Sequence, residues 1–413
     1  MKNVDRRTIL KSLITGSVPL VTSCFRDTNA LAASGVIRAD ASPGTIKKPL
    51  VKGIRLDPGH LYPPNGPVSP TVAAELVGDI IRCRANTLFL YGINSVYGAF
   101  ADLNYDLMST ESGLGKTDFV HQVIQLAKDQ GISVVISIPL NNFKSAWEQR
   151  PTWRVKQKIA GGVSDYKPNV EAYPLSSWVD DVRDWIGGLV SQVCHLWSDS
   201  AGIEIREPEV NHTWNDPVDF NAATTQKFST LYPRISADPR SPDWRRFTAM
   251  GLTDMHAIVA RQIHNYRKEC WIVQTWPPDN AGNLMDATDV RDGSGFDFGG
   301  VLNLSRLDRA DNITAELIWQ QWSADKHLPI FSPEWTGDAS KQFSRFVGDR
   351  ANAITHVEAT GFPVGDHPTI TPNDAQLQRS IRLALENTNG VAVYEYMLLK
   401  RQGLLPAVRE AFS

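Results

Sequence analysis

The chain has 413 residues, of which 42% are hydrophobic and 21% charged, an ordinary globular balance with enough apolar mass for a large core. The formal net charge of −3 gives no electrostatic reason to expect a nucleic acid or an anionic membrane surface as partner. The four cysteines, Cys24, Cys83, Cys194 and Cys270, form no C-x-x-C pair, so neither a zinc ribbon nor a redox motif is expected, and three of them read as small buried hydrophobes.

In chain order, the first segment is VDRRTILK at 4–11, with Arg6 and Arg7 paired, followed by the apolar run LITGSVPLV. It resembles a twin-arginine export signal, and residues 1–32 are assigned to it. Two processing sites compete. VTSC, ending at Cys24, resembles a lipoprotein box and would give a lipid anchor on that cysteine; Ala30-Leu31-Ala32 is a cleavage site that would release a soluble protein. Export follows in either case, to the periplasm, as a membrane-anchored lipoprotein or in secreted form. Residues 33–50, rich in Ala, Ser, Gly, Pro and Lys, form a linker.

From residue 51 onward, strand and helix patterns alternate. Short apolar runs bounded by Gly, Pro, Asn or Asp occur at 51–57, 86–94, 132–140, 202–207, 270–276, 298–304, 328–334 and 390–397. Apolar residues spaced by three and four predict helices at 70–84, 117–129, 177–197, 243–268, 312–325, 341–359 and 374–387. The clearest is 177–197, where Trp178, Val182, Trp185, Ile186, Leu189, Val190, Val193 and Trp197 share one stripe. The weakest link is 278–295, rich in Gly and Asp. Eight apolar strands separated by helices predict a parallel sheet covered on both faces, and a closed (β/α)8 barrel over 51–413 is its simplest form.

In such a barrel the chemistry lies at the C-terminal strand ends. These ends carry Asp57 and His60; Tyr91 and Asn94; Asn141 and Asn142; Arg206, Glu207, Glu209, Asn211, His212 and Trp214; Gln274 and Trp276; Asn303 and Arg306; Glu334 and Trp335; and Tyr394, Glu395 and Tyr396. Carboxylates, amides and aromatics with few basic residues suit a neutral polyhydroxylated ligand. No GxxxxGK phosphate loop, H-x-H or HExxH occurs, so no cofactor and no catalytic metal are expected. The remaining chemistry is a pair of carboxylates on different strands, which glycoside hydrolysis requires.

Two motifs strengthen this reading. IREPE at 205–209 resembles the N-E-P end of strand four in clan A glycoside hydrolases such as the family 5 cellulases and mannanases, and LPIFSPEWTG at 328–337 resembles the strand-seven end of the same enzymes. RPTWRVKQKIAGG and YPLSSWVDDVRDWI also look like segments of bacterial glycosyl-hydrolase-like barrels. The resemblance implies Glu207 as acid/base, with Glu209 as the alternative, and Glu334 as nucleophile of a retaining hydrolase of a polysaccharide or oligosaccharide. Asp57, Tyr91, Arg206, Asn211, Trp276, Asn303, Trp335 and Tyr394 would bind the sugar. Arg206 stands where the family carries an asparagine, which leaves open a silent polysaccharide-binding barrel of an envelope or biofilm assembly. By strand alternation, Glu204 is expected to point into the barrel and pair with Arg206.

Overall fold

The computed structural model describes residues 50–61, 71–110, 119–166, 172–211, 218–326, 331–360 and 370–413. The export signal, the linker up to residue 49, His212 and Trp214 lie outside these residues.

Eight parallel strands close into a barrel: β1 (Val51–Leu56), β2 (Thr87–Tyr91), β3 (Ser133–Pro139), β4 (Gly202–Arg206), β5 (Glu269–Thr275), β6 (Asn312–Glu316), β7 (Asn352–Glu358) and β8 (Gly390–Tyr394). Each pairs with its sequence neighbours, and β1 pairs with β8 to seal the sheet. Helices fill the crossovers. In Asp180–Leu196, Val182, Trp185, Ile186, Leu189, Val190 and Val193 are buried, as their spacing predicts. Among the described residues, no helix is long and apolar enough to cross a membrane.

Strand alternation sorts the side chains into two environments. One set faces the helices and joins the large outer core: Ile54 and Leu56, Leu88 and Leu90, Ile203 and Ile205, Cys270 and Ile272, Ile313 and Ala315, and Val391 and Val393. The other set fills the barrel. Its lower layer is apolar, with Phe89, Val135, Trp271, Ile354 and Ala392 in one cluster. Above that layer the interior turns polar, and this is where the site begins.

Two of the eight strands are not where the apolar runs predicted them. Residues 298–304 were expected as strand six. They instead begin with the helix Phe298–Leu302, because Asp297 caps it by accepting from the Gly300 amide (2.9 Å) while Phe298, Val301 and Leu302 turn to the core. The true β6 lies within the predicted helix 312–325. Residues 328–334 were expected as strand seven; 327–330 lie outside the described residues, and Pro333 and Glu334 open the helix Pro333–Val347, with proline in its favoured first-turn position. The true β7 occupies the second half of the predicted helix 341–359.

Candidate active site at the barrel mouth

The polar layer starts with a buried ion pair. Arg55 of β1 donates from both terminal nitrogens to Glu204 of β4, at 2.6 and 2.7 Å. Glu204 thus points into the barrel as expected, but its partner is Arg55 and not Arg206. Bidentate geometry is what makes such a pair tolerable out of water. Arg206 is spent differently: its guanidinium lies over the Tyr91 ring at 3.9 Å, and Nη2 donates to the Ile93 carbonyl at 3.4 Å. Arginine and tyrosine together wall off the β2–β4 side.

Directly after Arg206, the chain turns with Glu207 in the left-handed region at φ 44°. Its amide donates to the Val273 carbonyl (2.8 Å), which ties the turn to β5. Glu207 is half-buried, while Glu209 is buried and its carbonyl accepts from Asn141 (2.8 Å). Asn211 is fully buried. Across the mouth, Asp57 accepts from the Gly59 amide (2.9 Å) and from Asn94 (3.3 Å).

The side of the site missed by sequence reasoning is β6–β7. Glu316 ends β6, and His356 and Glu358 line the end of β7; all three are buried. His356 stands between the two carboxylates, with Nδ1 3.6 Å from Glu316 and Nε2 3.5 Å from Glu358. Thr275 donates to the second Glu316 oxygen at 2.5 Å. Tyr394 stacks on the His356 ring, with centroids 5.6 Å apart. The signal was present in ITAE (313–316) and HVE (356–358), two runs that alternate apolar-out and polar-in.

Burial first, and then the negative neighbours Asp57, Glu395 and Glu358, push the Tyr394 phenol well above its ordinary range; burial does the same to Tyr91, against the opposing pull of Arg206 and Arg55. Both phenols are therefore hydrogen-bond donors at neutral pH. His60 is 46% exposed, and the Glu395 carboxylate, 3.6 Å from its Nδ1, raises its basicity.

The other predicted site residues fall elsewhere. Glu334 is on the outer helix ring, 61% exposed and paired with Arg379 at 3.3 Å, so it does not face Glu207 across the mouth. Trp276 is only 3% exposed: it stacks on Phe298 at 4.5 Å and its indole donates to the Met285 carbonyl. Trp335 is likewise a core residue, donating to the Gly282 carbonyl at 2.6 Å beside Phe331. Neither offers an open ring for a sugar. Asn303 caps the helix that precedes β6 and accepts from Arg350, which precedes β7, so it belongs to the N-terminal end of the barrel. Asp57, Tyr91, Arg206, Glu207 and Tyr394 are brought together at the mouth, joined by Glu316, His356 and Glu358. β4 and β7 are separated by two strands on one side and four on the other, so Glu207 and Glu358 stand at well-separated strand ends of the same mouth. Among the described residues, no group of three or more His, Cys, Asp or Glu side chains is arranged to hold a metal ion.

No protein-family model matches the sequence, and no curated protein does. Solved structures do. The glycoside hydrolase domain of PgaB (BpsB) from Bordetella bronchiseptica is 13% identical, with a TM-score of 0.63 over 88% of this chain and 99% of that one. The endo-1,4-beta-mannanase of Rhizomucor miehei is 13% identical, with a TM-score of 0.52 over 86% of this chain and 88% of that one. An exo beta-N-acetylglucosaminidase of Vibrio harveyi, solved with N-acetylglucosamine, is 11% identical, with a TM-score of 0.52 over 87% of this chain and 54% of that one, so this chain spans about half its length. At these identities the likeness shows the fold: the single closed parallel barrel that glycoside hydrolases of this type share.

Proposed function

We propose that this protein is an exported glycoside hydrolase that cleaves O-glycosidic bonds of a polysaccharide or oligosaccharide by a retaining mechanism, with Glu207 as acid/base and Glu358 as nucleophile. The observation that carries the reading is the placement of Glu207 directly beyond β4 and of Glu358 at the end of β7, two strand ends of one mouth that also carries Tyr91 and Tyr394. The resemblance at IREPE gives Glu207 its role, and Glu358 takes the strand-seven position that the sequence motif had assigned to Glu334. The glycoside hydrolases among the structural neighbours, one of them holding N-acetylglucosamine, support a carbohydrate ligand.

In this mechanism the Glu358 carboxylate attacks the anomeric carbon. The glycosidic C–O bond breaks, and the leaving oxygen takes the proton from Glu207. Glu207, now ionised, removes a proton from water; the water oxygen attacks the same carbon, and the ester bond to Glu358 breaks. Two inversions retain the configuration.

The test is a panel of glycans and aryl glycosides incubated with the purified protein. Glu358→Ala should be folded and inactive. Glu207→Ala should still cleave an activated aryl glycoside, and added azide should then give a glycosyl azide of retained configuration. Full activity of Glu358→Ala would refute the assignment. Arg206, standing where the family pattern has asparagine, favours a second reading, a silent polysaccharide-binding barrel. Binding of a glycan without cleavage by the wild-type protein would establish that one instead.

A further inference from the structure

The register of three neighbouring strands sets Thr275, Glu316 and His356 side by side on the inner wall. Glu358 stands two residues beyond His356 on β7, hence on the same face and nearer the mouth. The contacts make a continuous row: Thr275 hydroxyl to Glu316, Glu316 to His356 Nδ1, and His356 Nε2 to Glu358. The Tyr394 ring covers the imidazole from β8, and Tyr394 is also the register partner of Glu358. Arg55 lies within electrostatic reach of Glu316, but Glu204 already holds it bidentate.

Two buried carboxylates on either side of one ring favour a cation between them. The ring between them can supply that cation by holding both of its protons, each directed at one carboxylate. A neutral imidazole would turn a lone pair toward one of the two.

We propose that His356 is the positioning residue of this site: clamped as an imidazolium between Glu316 and Glu358, it keeps the Glu358 carboxylate ionised and oriented toward the mouth. Glu316, anchored by Thr275, fixes the ring and so sets the direction of the proton that faces Glu358. The inference rests on the reading of Glu358 as the attacking group, and it implies that the site depends on a charge that high pH withdraws.

The test is read without substrate. Carboxyl carbons of Glu358 and ring carbons of His356 are followed by NMR across pH in uniformly labelled protein, with assignments from Glu358→Gln and His356→Gln. In the wild type the His356 ring should be doubly protonated at pH 7. In His356→Gln, Glu358 should titrate about 1–3 pH units higher than in the wild type. In Glu316→Gln, the ring should lose its proton at lower pH than in the wild type. A neutral His356 in the wild type at pH 7 would overturn the clamp, whether or not His356→Gln folds. So would an unchanged Glu358 titration in folded His356→Gln. If the titrations behave as expected while no glycan is cleaved, the clamp stands and the hydrolase assignment falls.

Discussion

Glu207 is the residue where function and stability pull apart. A non-glycine residue in the left-handed region, here at φ 44°, costs about 1–2 kcal/mol. The turn is tied to β5 by the backbone, through the Glu207 amide to the Val273 carbonyl. Glu207→Gly should therefore raise stability by about 1 kcal/mol, after the greater entropy of glycine in the unfolded chain is subtracted. It should also abolish cleavage of natural glycans, since the proposed proton donor is removed. Urea denaturation checks the first expectation, and a loss of stability in Glu207→Gly would show that the conformation is not strained by the side chain. The crowding of acids at this strand end has a related explanation: Glu204 is neutralised by Arg55 below the mouth, and only the carboxylates above it remain for chemistry.

At the scale of elements, the helix Pro242–Asn265 carries a buried weakness. His256 is fully buried, and neither ring nitrogen has a hydrogen-bond partner among the described residues. Burial, and then the nearby His264, push its pKa from 6.5 down to about 3. Its folded-state pKa is depressed, so below the unfolded value the unfolded chain takes up the proton and the folded one does not. Stability is whole above about pH 6.5 and falls as pH drops toward 3, by up to about 1.4 kcal/mol per unit. His256→Leu should lie within about 1.5 kcal/mol of the wild type at pH 7.5 and be the more stable of the two at pH 4.5. Urea midpoints at the two pH values that shift in parallel for both proteins would exclude His256 as the cause. The elements also show what the sequence could reveal. Six strands were visible from their short apolar runs, and with them Asp57, Tyr91, Arg206, Glu207 and Tyr394. β6 and β7 carry Thr314, Glu316, His356 and Glu358 on their inner faces, so their apolar runs are broken and read as helix surfaces, while the neighbouring FGGVLNL and LPIFSPE look more strand-like. Glu316, His356 and Glu358 were hidden for the same reason that they matter: a polar barrel interior erases the hydrophobic signal. The misassigned Trp276 had a usable clue, because Thr275 faces inward and the next residue must face the helices.

At the scale of the whole molecule, the barrel has two ends, and they are assigned to different tasks. Val51 opens β1 at the N-terminal end, and the candidate site lies at the opposite, C-terminal end. If Cys24 carries the proposed lipid, the chain would meet the barrel at its base, with the mouth at the opposite end. The barrel is also complete without residues 1–49: β1 pairs with both β2 and β8, and Lys52 donates to the Phe412 carbonyl. Its described cysteines, Cys83, Cys194 and Cys270, are buried and free, so the fold rests on its core and not on cross-links. The twin-arginine reading of Arg6-Arg7 proposes that such a barrel folds before export. Replacing both arginines by lysine should leave full-length precursor in the cytoplasm, folded and with its thiols buried. Replacing Cys24 by alanine in the native signal should move the protein from the membrane fraction to the soluble fraction, by removing the only acceptor for the lipid in the VTSC box. Normal export of the double-lysine variant would eliminate the twin-arginine route. An unchanged membrane fraction for Cys24→Ala would eliminate the anchor and, with it, the argument that the base of the barrel faces a membrane; cleavage after Ala32 would then be left as the processing site.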